Sequence, residues 1–292
     1  MKVLVVPVDS GVVGERRGAG PDVLLEAGLL TRVGGPGGKA AAVRLLPSTG
    51  WRAELRTTFE LHRQIAEAVR NALAAGDAPL VVAGDCNATV GAVAGLGSAL
   101  RTGIVWFDAH GDFNTPETDR SGFLDGQGLA MVTGRGWAAH TGSLPGFAPV
   151  PDHRVLLVGA RDLDDAESEA LDRSGVLRLD EADTREGELF DAVLDELCSD
   201  VDRLHVHVDA DVLDPSLGRP NGWAAPGGLT VDRLLAVVRA AHDRAPIASV
   251  TIASWDPAMD PGGGVRDALL RIAEAIGALT GSCSRTRPAG SP

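Results

Sequence analysis

Short apolar runs alternate with segments of helical periodicity along nearly the whole chain. The runs are rich in Val, Ile and Leu and are bounded by Gly, Pro or charged residues, which is typical of strands buried on both faces of a parallel sheet. Between two of them a helix is predicted over Thr58–Ala75, where Leu61, Ile65 and Val69 share one stripe. The predicted strands are Val3–Val8, Val43–Leu46, Leu80–Ala83, Ile104–Phe107, Val155–Gly159, Val176–Leu179, Leu204–Val208 and Ala248–Ile252.

Three further segments have comparable helical periodicity: Asp183–Cys198, Val231–Ala245 and Val265–Leu279. About eight strands alternating with helices predict an α/β fold, a three-layer αβα arrangement around a mostly parallel sheet. The sequence has no internal repeat and no linker. We therefore expect residues 1–280 to form a single domain and residues 281–292 to form a flexible tail.

Two long segments interrupt the alternation, Gly111–Gly146 and Asp211–Gly228. Both are rich in Gly, Pro, Asp and Asn. Loops of this length inside a compact domain are usually functional or disordered. Each comes soon after the end of a predicted strand, so we expect both at the carboxyl edge of the sheet, where α/β proteins bind their ligands.

Potential metal ligands stand where two of the predicted strands end. If these strands are neighbours, four carboxylates and one imidazole converge, and so much negative charge is costly to bury without a cation. Carboxylates with a single imidazole favour a hard divalent ion, with Mn²⁺ ahead of Zn²⁺. An EF-hand loop starting at Asp209 is excluded, because its sixth and twelfth positions hold Asp214 and Pro220. The five candidate ligands are Asp108, His110, Asp112, Asp209 and Asp211.

Charge and cysteine content narrow the possible partners. The 292 residues include 40 acidic and 27 basic ones, for a formal net charge of −13 with His neutral. This balance argues against nucleic acid and anionic membranes, and it favours a cationic small molecule or a divalent metal. Three scattered cysteines argue against a disulfide framework, and no apolar window reaches the ~18 residues of a membrane span. We expect a cytoplasmic protein.

The other histidines are interpreted as structural. His205 and His207 alternate along a predicted strand, so we expect them to pack in the core rather than to bind metal. The same interpretation applies to His62, His140, His153 and His242.

Further motifs surround the candidate ligands. GAGP begins at Gly18, AGD at Ala83, WFDAHGDFNTP at Trp106, VDADVLDP at Val208 and GGLT at Gly227. Two ligand motifs in this order and at this spacing are highly specific. Over nearly its whole length the chain resembles the ureohydrolase family, which includes arginases and agmatinases and hydrolyses guanidino groups at a binuclear Mn²⁺ site.

The resemblance implies a role for each candidate ligand. Asp108 and Asp209 would bridge the two metals. His110 and Asp211 would complete one metal site, and Asp112 would belong to the other. In the family's mechanism a metal-bound hydroxide attacks the guanidinium carbon, because two cations lower the pKa of the water and hold it in place. The tetrahedral intermediate then expels an amine, which needs a proton.

Three departures from the family pattern concern the guanidino end of the substrate. Cys86 replaces a histidine ligand, and a neutral thiol is a poor ligand for Mn²⁺. We therefore expect a weak or partly empty metal site there, with an inert buried thiol as the alternative. Asp125 replaces a proton-shuttling histidine and is a candidate for that catalytic role. Ser254 replaces a Glu that holds the guanidinium in arginases, so a compensating acid is missing.

The residues that the resemblance assigns to the other end of the substrate are largely kept. Asn114 and Ser121 match arginase residues that bind an α-carboxylate, which suits a neutral amide and a hydroxyl. Asp164 and Glu167 match residues around the α-amino group. Asp119 replaces a family Thr and would repel a carboxylate if it faced inward.

An amino-acid head combined with an altered guanidino pocket favours N-omega-hydroxy-L-arginine as the substrate. Hydroxylation makes the guanidine less basic, so a counter-ion matters less. The products would be hydroxyurea and L-ornithine, and the chain resembles the family members that supply hydroxyurea for D-cycloserine biosynthesis.

Three alternatives stay open at this stage. One is a plain arginase, which converts L-arginine to urea and ornithine. An agmatinase is less favoured, because its decarboxylated substrate would leave Asn114 and Ser121 without a partner. A non-catalytic metal- or ligand-binding protein belongs to a different class, in which Cys86 and Ser254 would mark a decayed site. A homo-oligomer is possible, as in the family.

Overall fold

Eight parallel strands form the centre of the protein, whose computed structural model describes residues 1–35, 39–48, 53–185 and 187–283. Numbered along the chain, the strands are β1 (Lys2–Val6), β2 (Val8–Asp9), β3 (Val12–Val13), β4 (Ala41–Arg44), β5 (Pro79–Ala83), β6 (Thr102–Phe107), β7 (Val155–Val158), β8 (Leu177–Leu179), β9 (Arg203–Asp209) and β10 (Ile247–Ala253). The sheet order is β4-β1-β5-β10-β9-β6-β7-β8, while β2 and β3 form a short antiparallel pair.

Helices cover both faces of the sheet. They are α1 (Gly20–Glu26), α2 (Leu29–Gly34), α3 (Glu54–Ala74), α4 (Ala88–Leu96), α5 (Gly128–Val132), α6 (Ala138–Thr141), α7 (Asp165–Asp172), α8 (Glu188–Cys198), α9 (Val231–Arg244) and α10 (Gly264–Cys283). None of the helices in the described ranges combines the length and apolar character needed to cross a membrane.

Alternate residues of strand β6 belong to two separate hydrophobic clusters. Val105 and Phe107 pack in one cluster with α1, α2, α8, α9 and α10. Ile104 and Trp106 pack in the other with α3, α4, α5 and α7. Because successive strand side chains point to opposite faces, the sheet lies between two helical layers. The predicted three-layer αβα fold with an eight-stranded parallel sheet is confirmed.

Strands β6 and β9 are direct neighbours, as the convergence of the candidate ligands requires. They pair in parallel, and Phe107 lies opposite Val208 at their carboxyl ends. The next residues along the two strands are Asp108 and Asp209. The strand order therefore brings the two ligand motifs to the same edge of the sheet.

Helix α4 is absent from the predicted elements. All of its residues from Ala88 to Leu96 are buried, so it has no polar stripe from which a helical period could be recognised.

Strand β4 begins and ends two positions earlier than predicted. Helix α10 extends to Cys283, and residues 284–292 of the predicted tail lie outside the described residues. The single-domain boundary at residue 280 stays a prediction.

The turn after β5 depends on a glycine at the AGD motif. A Cβ atom on Gly84 would lie 2.2 Å from the carbonyl oxygen of Val8, which is closer than any side chain allows. The close approach brings the following Asp85 and Cys86 beneath the segment that contains β2. This explains why the chain has Gly directly before two residues of the site.

Candidate active site

A cavity of about 510 Å³ opens at the carboxyl edge of the sheet, between the two long segments singled out in the sequence. Its lining includes most of the predicted site residues: His110, Asp112, Asn114, Ser121, Asp125, Asp164, Glu167, Asp209 and Asp211. The others, Cys86, Asp108 and Ser254, are buried behind this lining.

One group of potential metal ligands combines two carboxylates and an imidazole. A ligand atom from each of Asp108, His110 and Asp211 lies within 4.8 Å of the other two. His110 Nδ1 is 3.3 Å from Asp108 Oδ1 and 3.5 Å from Asp211 Oδ2. Although burial lowers it, the hydrogen bond to Asp108 and the charge of Asp211 raise the pKa of His110 to about 9. A divalent cation could take the place of this proton.

Cys86 and Asp209 meet deeper in the site. The Cys86 thiol donates to Asp209 Oδ2 over 2.9 Å. Burial, and then the charge of Asp209, raise the pKa of the Cys86 thiol well above its ordinary value. The thiol is therefore neutral in the metal-free protein, and it can act as a ligand only after it loses its proton to a bound cation.

The buried carboxylates of the site repel one another. Burial raises the pKa of Asp108 to about 6, and the neighbouring Asp211 adds to this shift. Burial and nearby carboxylates also raise the pKa values of Asp112 and Asp209 well above the ordinary range. Within the described residues, Asp112 Oδ2 is buried without a hydrogen-bond partner. Such a set of donors fits a divalent metal centre, because a cation removes the repulsion and occupies the free oxygen.

A buried arginine that is not among the predicted site residues lies at the inner end of the cavity. Arg17 forms ion pairs with Asp9 at 2.6 Å, with Asp85 at 3.1 Å and with Asp125. Its Nη1 is also 3.5 Å from Ser254 Oγ. Although burial lowers it, the charges of Asp125 and Asp85 raise the pKa of Arg17, so it is always charged. The sequence signal that could have indicated Arg17 is its position directly before the GAGP motif.

Asp125 is held from two sides. Besides its ion pair with Arg17, it accepts hydrogen bonds from the backbone N–H groups of Cys86 at 2.5 Å and Asn87 at 3.3 Å. Burial raises its pKa, while Arg17 and the Asn87 hydrogen bond oppose that shift. Ser254 Oγ lies 3.5 Å from Asp125 Oδ2 and 3.2 Å from Cys86 Sγ. The three departures from the family pattern therefore contact one another.

The residues expected at the amino-acid end of the substrate are linked to each other. Asn114 Nδ2 donates to Asp164 Oδ2 over 2.8 Å. Asp164 caps helix α7 by accepting from the backbone N–H of Glu167 at 2.9 Å. Glu167 accepts from Phe113 N at 2.9 Å, and burial raises its pKa to about 7. These bonds present the side chains toward the cavity from a helix N-terminus.

Asp119 organises the loop that carries Ser121. Its Oδ1 accepts from both the backbone N–H of Ser121 at 2.8 Å and the Ser121 hydroxyl at 2.7 Å. Its Oδ2 accepts from Gln127 at 2.7 Å. Asp119 also lines the cavity. The family Thr is thus replaced by a carboxylate that holds the loop through hydrogen bonds.

An aromatic pair joins the two long segments at the cavity. The rings of Phe123 and Trp223 are stacked with centroids 4.7 Å apart, and both line the cavity. The guanidinium carbon of Arg17 lies 5.1 Å from the Phe123 ring and 5.0 Å from the Trp223 ring. The pair therefore covers Arg17 on the side of the opening. The pair was not predicted, because no local sequence pattern links residues so far apart.

The two strand histidines differ in their surroundings. His205 packs in the core as expected, with its Nδ1 2.6 Å from Ser249 Oγ and its Nε2 3.3 Å from Thr251 Oγ1. His207 is equally buried, and its Nδ1 is 2.8 Å from Thr89 Oγ1. Its Nε2 has no hydrogen-bond partner among the described residues. Core packing explains the position of His205, but it does not explain why Nε2 of His207 is buried without a partner.

A parallel α/β sheet with buried carboxylates and an imidazole converging on a cavity at its carboxyl edge is the arrangement of a metal-dependent hydrolase. A sequence profile of the arginase family matches residues 1–277. The arginase of Bacillus caldovelox is 33% identical over 250 residues, which cover 79% of this chain and 82% of that protein. The arginase of Bacillus subtilis is 29% identical over 275 residues, or 89% of this chain and 91% of that protein.

Solved structures agree with these sequence matches. A crystal structure of arginase from Bacillus subtilis superposes with a TM-score of 0.83 at 26% identity, covering 94% of this chain and 97% of that chain. The chain belongs to the arginase family. It is a ureohydrolase, an enzyme that cleaves guanidino C–N bonds.

Proposed function

We propose that this enzyme hydrolyses N-omega-hydroxy-L-arginine to hydroxyurea and L-ornithine, serving D-cycloserine biosynthesis. The observation that carries the proposal is the buried Arg17 beside Ser254 at the inner end of the cavity. The guanidinium of L-arginine is cationic, and it would find there a neutral hydroxyl and an arginine already paired with three carboxylates, but no free acid to balance its charge. The less basic hydroxyguanidine needs no such counter-ion, and its added oxygen suits the N–H groups of Arg17 and the hydroxyl of Ser254.

The acid nearest to Ser254 does not restore the missing counter-ion. Asp125 is already paired with Arg17 and accepts two backbone hydrogen bonds. Its negative charge is therefore compensated before a substrate binds. This supports a substrate with a weakly basic guanidine over one that carries a full positive charge.

The metal in this proposal is Mn²⁺, held by the donors at the ends of β6 and β9. When bound, it supplies electrophilic activation of a water for attack on the guanidino carbon. Trp106 Nε1 donates to Asp108 and Asn221 Nδ2 donates to Asp211, and these hydrogen bonds would orient the two carboxylates toward the ion. The residues proposed to hold metal are Cys86, Asp108, His110, Asp112, Asp209 and Asp211.

The remaining site residues bind the substrate and handle a proton. Asp125 is proposed as the catalytic group that accepts a proton from the attacking water and returns it to the leaving amine, since its pairing with Arg17 favours the ionised form. Asn114 and Ser121 are proposed to bind the α-carboxylate. Asp164 and Glu167 are proposed to face the α-ammonium, where acidic side chains suit a cation.

A plain arginase is the second candidate, favoured by the arginases among the relatives. A kinetic comparison of N-omega-hydroxy-L-arginine, L-arginine and agmatine with added Mn²⁺ separates the two. We expect the highest kcat/KM for the hydroxylated substrate, with hydroxyurea as the product. An equal or higher kcat/KM for L-arginine overturns the proposal. A metal-loaded protein that is inert toward all three compounds indicates a binding protein instead.

A further inference from the structure

We infer that His207 is a metal ligand on the Cys86 side of the centre, a role outside the six positions assigned above. The inference rests on the metal dependence proposed in the preceding section. One ligand atom from each of Cys86, Asp108 and His207 lies within 4.8 Å of the other two. All three residues are buried, and Asp108 also belongs to the group formed with His110 and Asp211. Asp108 therefore joins two sets of donors, as a bridging carboxylate would.

The free nitrogen of His207 is the observation that points to a ligand. In the described part of the chain its Nε2 is buried without a hydrogen-bond partner. A buried polar atom left without a partner costs free energy, so its persistence calls for an unseen partner. Cys86 and Asp108 are the donors beside it, and a cation bound among the three would satisfy Nε2.

The other ring nitrogen is arranged as in a metal-bound histidine. Nδ1 lies 2.8 Å from Thr89 Oγ1 on helix α4. Metal-binding histidines almost always donate their second ring N–H to a polar partner, which fixes the tautomer and leaves the first nitrogen free of a proton. A hydrogen bond donated from Nδ1 to Thr89 leaves the lone pair of Nε2 available to a metal.

The ring is also prevented from turning away. The indole of Trp106 stacks on His207 with ring centroids 3.8 Å apart and an interplanar angle of 23°. Trp106 Nε1 donates to Asp108 Oδ2 over 3.0 Å. One tryptophan therefore holds two of the three donors, as a residue that orients metal ligands does.

His207 also compensates for the chemistry of Cys86. The thiol is a soft donor, poorly matched to Mn²⁺ by itself. His207 on β9 adds an imidazole nitrogen, a donor that Mn²⁺, Co²⁺ and Zn²⁺ all accept. We therefore expect this side of the centre to bind metal in spite of the substitution at position 86.

The variants His207→Asn and His207→Gln test the inference, and His205→Asn is the matched control. His205 is on the same strand and equally buried, but both of its nitrogens have partners. Asn at position 207 can keep the bond to Thr89 while it removes Nε2, and Gln can reach the position of Nε2. Manganese content after dialysis and Mn²⁺ titration of each folded variant measure stoichiometry and affinity without an activity assay.

With excess Mn²⁺ we expect the wild-type chain to bind two metals, the second weakly enough to be partly lost on dialysis. The affinity for this second metal should be at least about tenfold weaker in His207→Asn and partly recovered in His207→Gln. His205→Asn should bind metal as the wild type does. Wild-type stoichiometry and affinity in His207→Asn overturn the inference. A wild-type chain that binds no divalent metal overturns the proposed metal dependence as well.

A measurement on the unmutated enzyme tests the inference even if the variants misfold. Pulsed EPR of the Mn²⁺-loaded protein labelled with ¹⁵N-histidine detects imidazole nitrogens bound to the metal. We expect couplings from two histidines, His110 and His207. Coupling from one histidine in the fully loaded protein overturns the inference and leaves the proposed reaction intact.

Discussion

Arg17 and Asp125 form a buried ion pair at the inner end of the cavity, although 108 positions separate them in the chain. The pair contacts Ser254, and it lies beneath the stacked rings of Phe123 and Trp223. It joins a residue from the start of the chain to one from the first long loop. In the function proposed above, this pair and Ser254 face the guanidino group of the substrate.

Removing Arg17 should destabilise the protein strongly. Arg17→Ala leaves Asp9, Asp85 and Asp125 buried without their common partner, which costs about 3–5 kcal/mol. Urea unfolding measures the loss. Arg16→Ala is the matched control, because Arg16 pairs with the same Asp9 but its side chain is 57% exposed, so we expect a loss below about 1 kcal/mol. Equal losses in the two variants would contradict this account.

Restoring an acid at Ser254 should shift the substrate preference toward L-arginine. In Ser254→Glu the new carboxylate can pair with a cationic guanidinium, so the ratio of kcat/KM for L-arginine to that for the hydroxylated substrate should rise about tenfold. Ser254→Ala is the control for backbone strain, since Ser254 has a φ of 65° and both substitutions keep a side chain there. An unchanged ratio in Ser254→Glu would show that this position does not face the guanidino group.

Cys86→His should raise manganese occupancy. The variant replaces a soft, neutral thiol with an imidazole, a better donor for Mn²⁺. Metal content per chain after dialysis measures the change. Cys198→Ser, at a half-buried cysteine on helix α8, should leave the content as it is. If Cys86→His also leaves it unchanged, Cys86 is not positioned as a ligand.

The stabilisation by Mn²⁺ should increase with pH. The pKa of Asp108 is raised to about 6 and that of Glu167 to about 7, so the metal-free fold binds protons more tightly than the unfolded chain. These two groups therefore add to the stability of the metal-free fold at low pH, and this stabilisation is lost as pH rises from about 4 to about 7. Mn²⁺ competes with the proton on Asp108, so the affinity for Mn²⁺ rises over the same range.

Thermal melts with saturating Mn²⁺ and with a chelator test this pH dependence. The difference in Tm between the two should widen from pH 5 to pH 7, because the metal-free protein loses stability while metal binding improves. A difference that stays constant or narrows would mean that Asp108 does not bind the metal.

Truncating the aromatic pair should weaken substrate binding. Trp223→Ala removes the ring that stacks on Phe123 and opens the cavity beside Arg17, so KM for the preferred substrate should rise about three- to tenfold with a smaller change in kcat. Trp223→Phe keeps a stacking ring and should retain most of the affinity. If the two variants give the same KM, stacking at this position does not contribute to binding.

Local sequence patterns were sufficient for the architecture and for the convergence of the candidate metal ligands, whereas the other predicted residues of the cavity lining came from the family resemblance. Alternating apolar runs and helical stripes reflect burial of each element separately, so the strands and four of the longer helices could be predicted from them. The candidate ligands directly follow strands, and the carboxyl ends of parallel strands meet at one edge of the sheet. The proximity of Asp108 and Asp209 could therefore be predicted from the sequence. Helix α4 was missed because a fully buried helix has no polar face.

The relations between distant residues were decided by tertiary structure alone. The ion pair between Arg17 and Asp125, and the free Nε2 of His207 beside Cys86, depend on strand order and side-chain packing, which no local pattern encodes. The sequence by itself determined that carboxylates and an imidazole converge at the edge of a parallel sheet. Which charged groups lie beside Ser254 was decided only by packing, because the partners of a buried charge come from separate parts of the chain.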